Sequence, residues 1–267
     1  MICKKGVEKE MDMKIKVLGC SGAKFPGHNI PGFLLDDEIL FDAGTLTGVL
    51  DEKAQLKIKN IFITHAHLDH VGSIPFLADN IILRNINHRV NIISISPVIK
   101  TIKKHLFNSS MWPDFTIIPN LNDAILNLVE LKAGESLRVN NHTVTPYKVN
   151  HTVPAVGYLV EDKKKRRFFY TGDTGPTSET WEKIGDKKMH CLIIDVSFSN
   201  SMEDMAIRTG HLTPKLLKEE LLKIKYMPEL IYVTHLKPQY LKAITTELKE
   251  LKMKNLKVLR DGDTIRI

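Results

Sequence analysis

Three imidazoles and a carboxylate fall within six residues of the segment Thr64-His65-Ala66-His67-Leu68-Asp69-His70. Imidazole nitrogen and carboxylate oxygen suit Zn²⁺, and also Mn²⁺ or Fe²⁺. Crowded without a cation, such groups would repel one another once protonated. Most of the 11 histidines stand singly, where an imidazole is ordinarily a surface or core residue; the HxHxDH pattern departs from that. One loop cannot close two coordination shells, so further ligands must come from elsewhere. Three places repeat the same arrangement, a ligand type directly after an apolar strand: Asn150-His151-Thr152, Thr171-Gly172-Asp173-Thr174 and Thr234-His235. One histidine at a strand end is usually structural. Three such positions in this order, downstream of HxHxDH, point to a shared site.

The elements that must position these residues read from periodicity. Lys14–Gly19, Phe33–Leu35, Ile39–Asp42, Ile61–Thr64 and Asn91–Ile95 are predicted strands, with helices over Thr45–Gln55, from Asp69 to Leu77 and over Pro97–Phe107. Leu126–Leu131, Ser136–Val139, Thr143–Val149, Gly157–Val160 and Arg167–Thr171 read as an antiparallel stretch separated by polar turns. Leu192–Val196 and Leu230–Thr234 are strands, Pro214–Lys223 and Leu241–Leu251 helices, and two short strands close the chain around a DGD turn. The two halves share one rhythm, strands then a helix, with histidine-bearing loops after the strands. That favours two packed sheets with helices outside them, in which catalytic residues collect on loops at one edge.

Composition narrows the class. At 267 residues, 43% hydrophobic and 26% charged, the chain is long enough to bury its own core and ordinary for a globular protein. Three cysteines make neither a disulfide framework nor a zinc-finger spacing. No apolar run approaches a membrane span or a secretory signal, so the expectation is a cytoplasmic protein. Residues 1–13 read as an N-terminal extension, with Met11 or Met13 as possible starts, and 14–267 as a single catalytic domain. The net charge is modest, 38 − 31 = +7, and is not gathered on one stripe. Its densest run, Lys163–Arg167, lies between two strand patterns behind two acids and reads as a solvated hairpin turn.

HxHxDH followed by His, Asp and His resembles the signature of the metallo-β-lactamase superfamily, from about Lys14 to Ile267. The resemblance implies a four-layer αββα sandwich with two divalent metal ions at one edge, Zn expected and Mn or Fe as alternatives. It implies that His65, His67 and His151 hold the first metal, that Asp69, His70 and His235 hold the second, and that Asp173 bridges them. Asp42, in ILFDAGT, matches a family aspartate that supports the ligand loop. Within the superfamily, HAHLDHVGSIPFL, IIDVSFSNS, GHLTPKLLKEEL and YVTHLKPQY resemble motifs of the class II cyclic-nucleotide phosphodiesterases, while NHTVPAVGY around His151 is closer to other phosphodiesterase branches.

Two features bear on the reaction. Thr213-Pro214 reads as a helix start, which does not account for His211. A histidine there is typical of the phosphodiesterase branches, and His211 is the expected general acid, or stabiliser of the leaving alkoxide or of the phosphoryl oxygens, beside Asp69 as orienter of the nucleophile. The gap from His151 to Asp173, 173 − 151 = 22 positions, holds two strands and a turn. The tRNA 3′-processing branch commonly inserts a tRNA-gripping arm in that gap. The expected activity is hydrolysis of a 3′,5′-cyclic nucleotide (cAMP or cGMP) to the 5′-monophosphate by a hydroxide held between the metals. A tRNA 3′-processing endonuclease is the alternative, and a non-catalytic nucleotide-binding module the second. The expected partner is thus a small cyclic nucleotide rather than nucleic acid or membrane, in a protein that can form a homodimer as family members often do. Ser197, Ser199, Asn200, Lys237, His28, Asn29 and Trp112 are secondary candidates for supporting or touching the site, whereas His88, His105, His142 and His190 fall outside every motif.

Overall fold

The computed structural model describes residues 12–267; residues 1–11, most of the expected extension, lie outside the described part. Met13 is buried and exchanges backbone hydrogen bonds with Ile267, so it joins the edge of the first sheet.

The first half supplies β1 (Lys14–Gly19), β2 (Gly32–Leu35), β3 (Ile39–Phe41), β4 (Asn60–Phe62), β5 (Val90–Ile95) and β6 (Leu126–Leu131). The second supplies β7 (Leu137–Val139), β8 (His142–Lys148), β9 (Val156–Asp162), β10 (Arg167–Tyr170), β11 (Cys191–Asp195), β12 (Leu230–Thr234) and β13 (Leu256–Val258). The last strand, β14 (Thr264–Arg266), returns to the first sheet beside β1. The sheets run β14-β1-β2-β3-β4-β5-β6 and β13-β12-β11-β10-β9-β8-β7, seven strands each. Both are half antiparallel and half parallel: β3 to β6 and β10 to β13 pair parallel, the rest antiparallel.

Aromatic side chains fill the space between the sheets. Tyr158 of β9 meets Phe62 at 5.3 Å and Phe41 at 5.8 Å, and Tyr170 meets Phe33 at 4.8 Å. On the outer face of the first sheet lie α3 (Ile74–Arg84) and α4 (Ser96–His105), which follow the short α1 (Glu52–Gln55) and α2 (Leu68–Val71). The buried residues of α3 besides Pro75, at Ile74, Leu77, Ala78 and Ile81, recur at i, i+3, i+4 and i+7 and pack into the same core as Ile61 and Ile92. The second sheet is covered by α5 (Glu179–Ile184), α6 (Glu203–Thr209), α7 (Pro214–Lys223) and α8 (Leu241–Glu250). The result is the αββα sandwich. Among the described residues no helix is long and apolar enough to cross a membrane.

Three elements differ from expectation. The helix begun at Asp69 breaks at Gly72 and Ser73 into α2 and α3. β6 is not part of the antiparallel stretch: it pairs parallel with β5 as the edge of the first sheet, because α4 and the long segment after it carry the chain back over the sheet first. The helix expected over Thr45–Gln55 shrinks to α1. Glycine and threonine weaken the first part as helix, and Asp51 accepts from Ala54 N at 2.8 Å, a cap that starts the helix late.

Topology puts the chemistry on one edge. β1, β3 and β4 run in one sense in the first sheet, as do β8, β10, β11 and β12 in the second. The segments bearing Asp42, His65–His70, His151, Asp173, Asp195 and His235 all leave or end these strands at their C-terminal ends.

Candidate metal centre

The loop after β4 aims its side chains in two directions. His65 Nε2 lies 3.0 Å from His67 Nδ1, and His151 Nε2 approaches the same atom at 3.2 Å. With Asp173 they form a group whose ligand atoms lie within 4.8 Å of one another. Asp69, His70, Asp173 and His235 form a second such group. In it, His70 Nε2 and His235 Nε2 each lie 3.3 Å from Asp173 Oδ1, with Asp69 Oδ2 at 3.8 and 3.5 Å. Asp173 belongs to both groups, turning Oδ2 towards His65 at 3.7 Å and Oδ1 towards His70 and His235. All seven residues singled out as ligands thus converge, and His211 stands beside them.

The backbone is bent to achieve this. Asp42 and His235 have φ of 56° and 64°, unusual for residues with a Cβ and a form of strain that concentrates at functional sites. Gly172, at φ 60°, also lies so close to Thr64 that a Cβ would meet its side chain at 2.7 Å. The ligand loop is stitched to the segment after β3: Ala43 N donates to His70 O at 2.7 Å and Ser73 N to Ala43 O at 2.8 Å. Asp42 accepts from His70 Nδ1 at 2.7 Å, and His151 Nδ1 donates to Gly210 O at 2.9 Å.

A pair of divalent cations fits this donor set. His70 Nε2 and His235 Nε2 are buried and make no hydrogen bond. An unsatisfied buried polar atom costs about 1–3 kcal/mol, and a cation is a partner that nitrogen lone pairs can take. Burial pushes the His65, His67 and His151 imidazolium forms down, helped at His65 by the neighbouring His70, which favours the neutral ligand form. Burial alone would also lower His70, but Asp173 and Asp42 outweigh it and hold its pKa well above the ordinary value. Burial would raise Asp173, yet the charges of His235 and His70 hold it well below the usual carboxylate range.

His211 is buried. Its ring stacks on His235 at 5.2 Å and 16° and meets His151 at 5.3 Å. Its Nδ1 donates to Asp195 Oδ2 at 2.7 Å. Burial disfavours the imidazolium, but the Asp195 charge outweighs it and raises the pKa, so a proton is held beside the two groups. Asp195, His211, His235 and Asp173 form a third cluster of possible ligands. In it Asp195 already accepts from Ser197 Oγ at 2.7 Å and Thr174 N at 3.3 Å, so it acts as a support. Sequence reasoning assigned Asp195 no role. Its signal was the one used for the others, an acidic residue closing the apolar run LIID.

The secondary candidates separate. Ser197 lies among the imidazoles, donating to Asp195. Lys237 Nζ donates to Gly22 O at 3.1 Å and sits 5.3 Å over the Phe198 ring, beside His211. His28 reaches Ser21 Oγ at 3.4 Å, and Asn29 N donates to Asp261 at 2.7 Å. Ser199 and Asn200 bond Ser201 and Lys215 N, which serves the start of α7. Trp112 packs edge-on against Phe76 at 5.3 Å. His88, His142 and His190 bond Ile58 O, Asp36 and Arg167 N, away from the centre. The basic run turns between β9 and β10, and three of its five cations, Lys165, Arg166 and Arg167, pair with Glu161 and Asp162.

Comparison with known proteins agrees with this architecture. A family model described as "Beta-lactamase superfamily domain" matches residues 38–236. A ribonuclease Z of Methanococcus maripaludis is 27% identical, over 91% of this chain and 94% of its own. A 3′,5′-cyclic-nucleotide phosphodiesterase of Aliivibrio fischeri is 28% identical, over 76% of this chain and 73% of its own. The crystal structure of unliganded yeast PDE1 superposes with a TM-score of 0.83 at 19% identity, covering 96% of this chain and all of that one.

Proposed function

Because the chain belongs to the metallo-β-lactamase superfamily, a family of hydrolases, we propose that it is a metal-dependent phosphodiesterase that opens a 3′,5′-cyclic nucleotide to the 5′-monophosphate. The observation that carries this reading is Asp173, one buried carboxylate turning an oxygen to each of two imidazole groups. His65, His67 and His151 would hold one cation, Asp69, His70 and His235 the other, and Asp173 both. When bound, such a pair supplies Lewis acidity that makes water reactive at neutral pH and neutralises charge on the phosphoryl group.

The residues of the chain do the rest. Asp69 is the cluster's most exposed carboxylate, its side chain 32% exposed, and orients the attacking water from the solvent side. His211 donates Nδ1–H to Asp195, whose charge favours the imidazolium; in that form Nε2 carries a second proton, which it delivers to the departing O3′. Burial of Asp173, His65, His70 and His235 keeps bulk water from screening these interactions. A small substrate is favoured by the segment between His151 and Asp173: β9, a basic turn and β10 take up most of it, with no added arm to grip a large RNA.

The test is metal-loaded protein assayed in parallel on cyclic AMP, cyclic GMP, 2′,3′-cyclic nucleotides, a simple aryl phosphodiester and precursor tRNA. Release of a 5′-monophosphate from cyclic AMP or cyclic GMP is the expected result. Processing of precursor tRNA with the cyclic nucleotides untouched would overturn the substrate and favour the ribonuclease reading.

A further inference from the structure

Each sheet contributes one fully buried carboxylate that stands behind the donor set. Asp42 follows β3 and Asp195 ends β11. Each holds one imidazole directly, Asp42 that of His70 and Asp195 that of His211, both at 2.7 Å. Each also stands behind a second imidazole with one hydroxyl between. Thr64 Oγ1 lies 3.0 and 2.9 Å from the two oxygens of Asp42 and 3.0 Å from His65 Nδ1. Ser197 Oγ lies 2.7 Å from Asp195 Oδ1 and 2.8 Å from His235 Nδ1.

Proton counting makes the arrangement directional. A hydroxyl has one proton to give, and an ionised carboxylate only accepts. With its proton given to the carboxylate, each hydroxyl faces the imidazole as an acceptor. The ring nitrogen opposite it must then carry hydrogen, so Nδ1 is the protonated nitrogen of both His65 and His235. Their Nε2 lone pairs are left facing inward. His65 serves the first donor group and His235 the second, so each group has one imidazole set in this way. Asp42 also receives Thr64 N at 2.8 Å and Tyr170 OH at 2.7 Å, which fixes the carboxylate from both sheets.

We propose that Thr64 and Ser197 are positioning residues: paired hydroxyl relays, one per sheet, that lock the tautomers of His65 and His235 and so set the affinity of each cation position separately. This rests on the reading of those histidines as ligands. The test uses the full chain, stripped of metal and titrated with Zn²⁺ against a chromophoric chelator to resolve two binding steps. Thr64→Val keeps the branched shape and removes the hydroxyl. It should weaken one step by about 10–100-fold, the usual consequence of losing a partner behind a ligand, and leave the other within about threefold. Ser197→Ala should likewise weaken one step, and the double variant both. Thr64→Ser should restore the wild-type value. Thermal unfolding of the metal-free proteins identifies any variant that does not fold, and in that case Ser197→Ala and Thr64→Ser decide the matter. Two wild-type steps in Thr64→Val or Ser197→Ala would overturn the relay, as would a Thr64→Ser protein that binds no better than Thr64→Val. If the wild-type chain takes up no divalent cation, the metal-centre reading falls and takes the relay with it. If cations bind as described but no cyclic nucleotide is hydrolysed, only the proposed substrate fails.

Discussion

Replacing His211 with alanine separates proton delivery from metal binding. The imidazole contributes no atom to the His65 group or the His70 group, and in the third group Asp195 is already committed as a support, so both cations should remain. What is lost is the Nε2 proton of the imidazolium that the Asp195 charge favours. General acid catalysis is worth roughly 10²–10⁴-fold in rate, which at 1.36 kcal/mol per decade is about 2.7–5.4 kcal/mol of barrier. The full loss should appear only where the leaving group needs a proton. The ribose O3′ of a cyclic nucleotide does; the nitrophenolate of an activated aryl diester departs without one. The assay is kcat for His211→Ala and wild type on cyclic AMP and on bis(p-nitrophenyl) phosphate with the same metal, alongside elemental analysis. The expected pattern is a fall of at least about 10² on cyclic AMP and less than about tenfold on the aryl diester, with metal content unchanged. An equal fall on both substrates would mean that His211 acts on the phosphoryl oxygens. Loss of metal would mean that it is a ligand or a structural residue. Either result refutes the acid role.

Asp173→Ala should lose cations from both positions, because its two oxygens face different groups; full occupancy by elemental analysis would contradict the shared role. Gly44→Ala places a Cβ 1.8 Å from Asp69 O and must push the ligand loop away. A displacement of about 1 Å in such a site costs on the order of 10²-fold in kcat, and wild-type turnover in the folded variant would show that the loop tolerates the shift. Cation affinity should rise with pH. The raised pKa of His70 means that a cation must displace its proton, so binding is weakest in acid, strengthens as pH climbs through the His70 pKa and releases protons into a weak buffer. Chelator competition that is independent of pH would contradict this linkage.

Much of the centre was legible because ligand chemistry clusters in ways that propensity does not explain. HxHxDH crowds four ligand types into one turn, and His151, Asp173 and His235 each stand at the end of an apolar run, so residue type and position together marked all seven. The layered fold followed from the same rhythm of strands and helices. β6 was misplaced because Leu126–Leu131 has the pattern of either an antiparallel or a parallel strand, and only the return path of the chain over α4 decides which neighbour it takes. The helix before α1 failed for a local reason, a cap at Asp51 outcompeting a stretch of glycine and threonine. Asp195, Thr64 and Ser197 show where one-dimensional reading ends. Their types are common, and although Thr64 adjoins HxHxDH and Ser197 was a secondary candidate, nothing in the sequence pairs either hydroxyl with its carboxylate. Their roles arise only when strands from both sheets bring a carboxylate, a hydroxyl and an imidazole into line. The sequence by itself determined which side chains could bind a cation. Only the packing of two sheets decided which nitrogen of each ring faces inward, because that choice depends on hydrogen-bond partners up to 59 positions away along the chain.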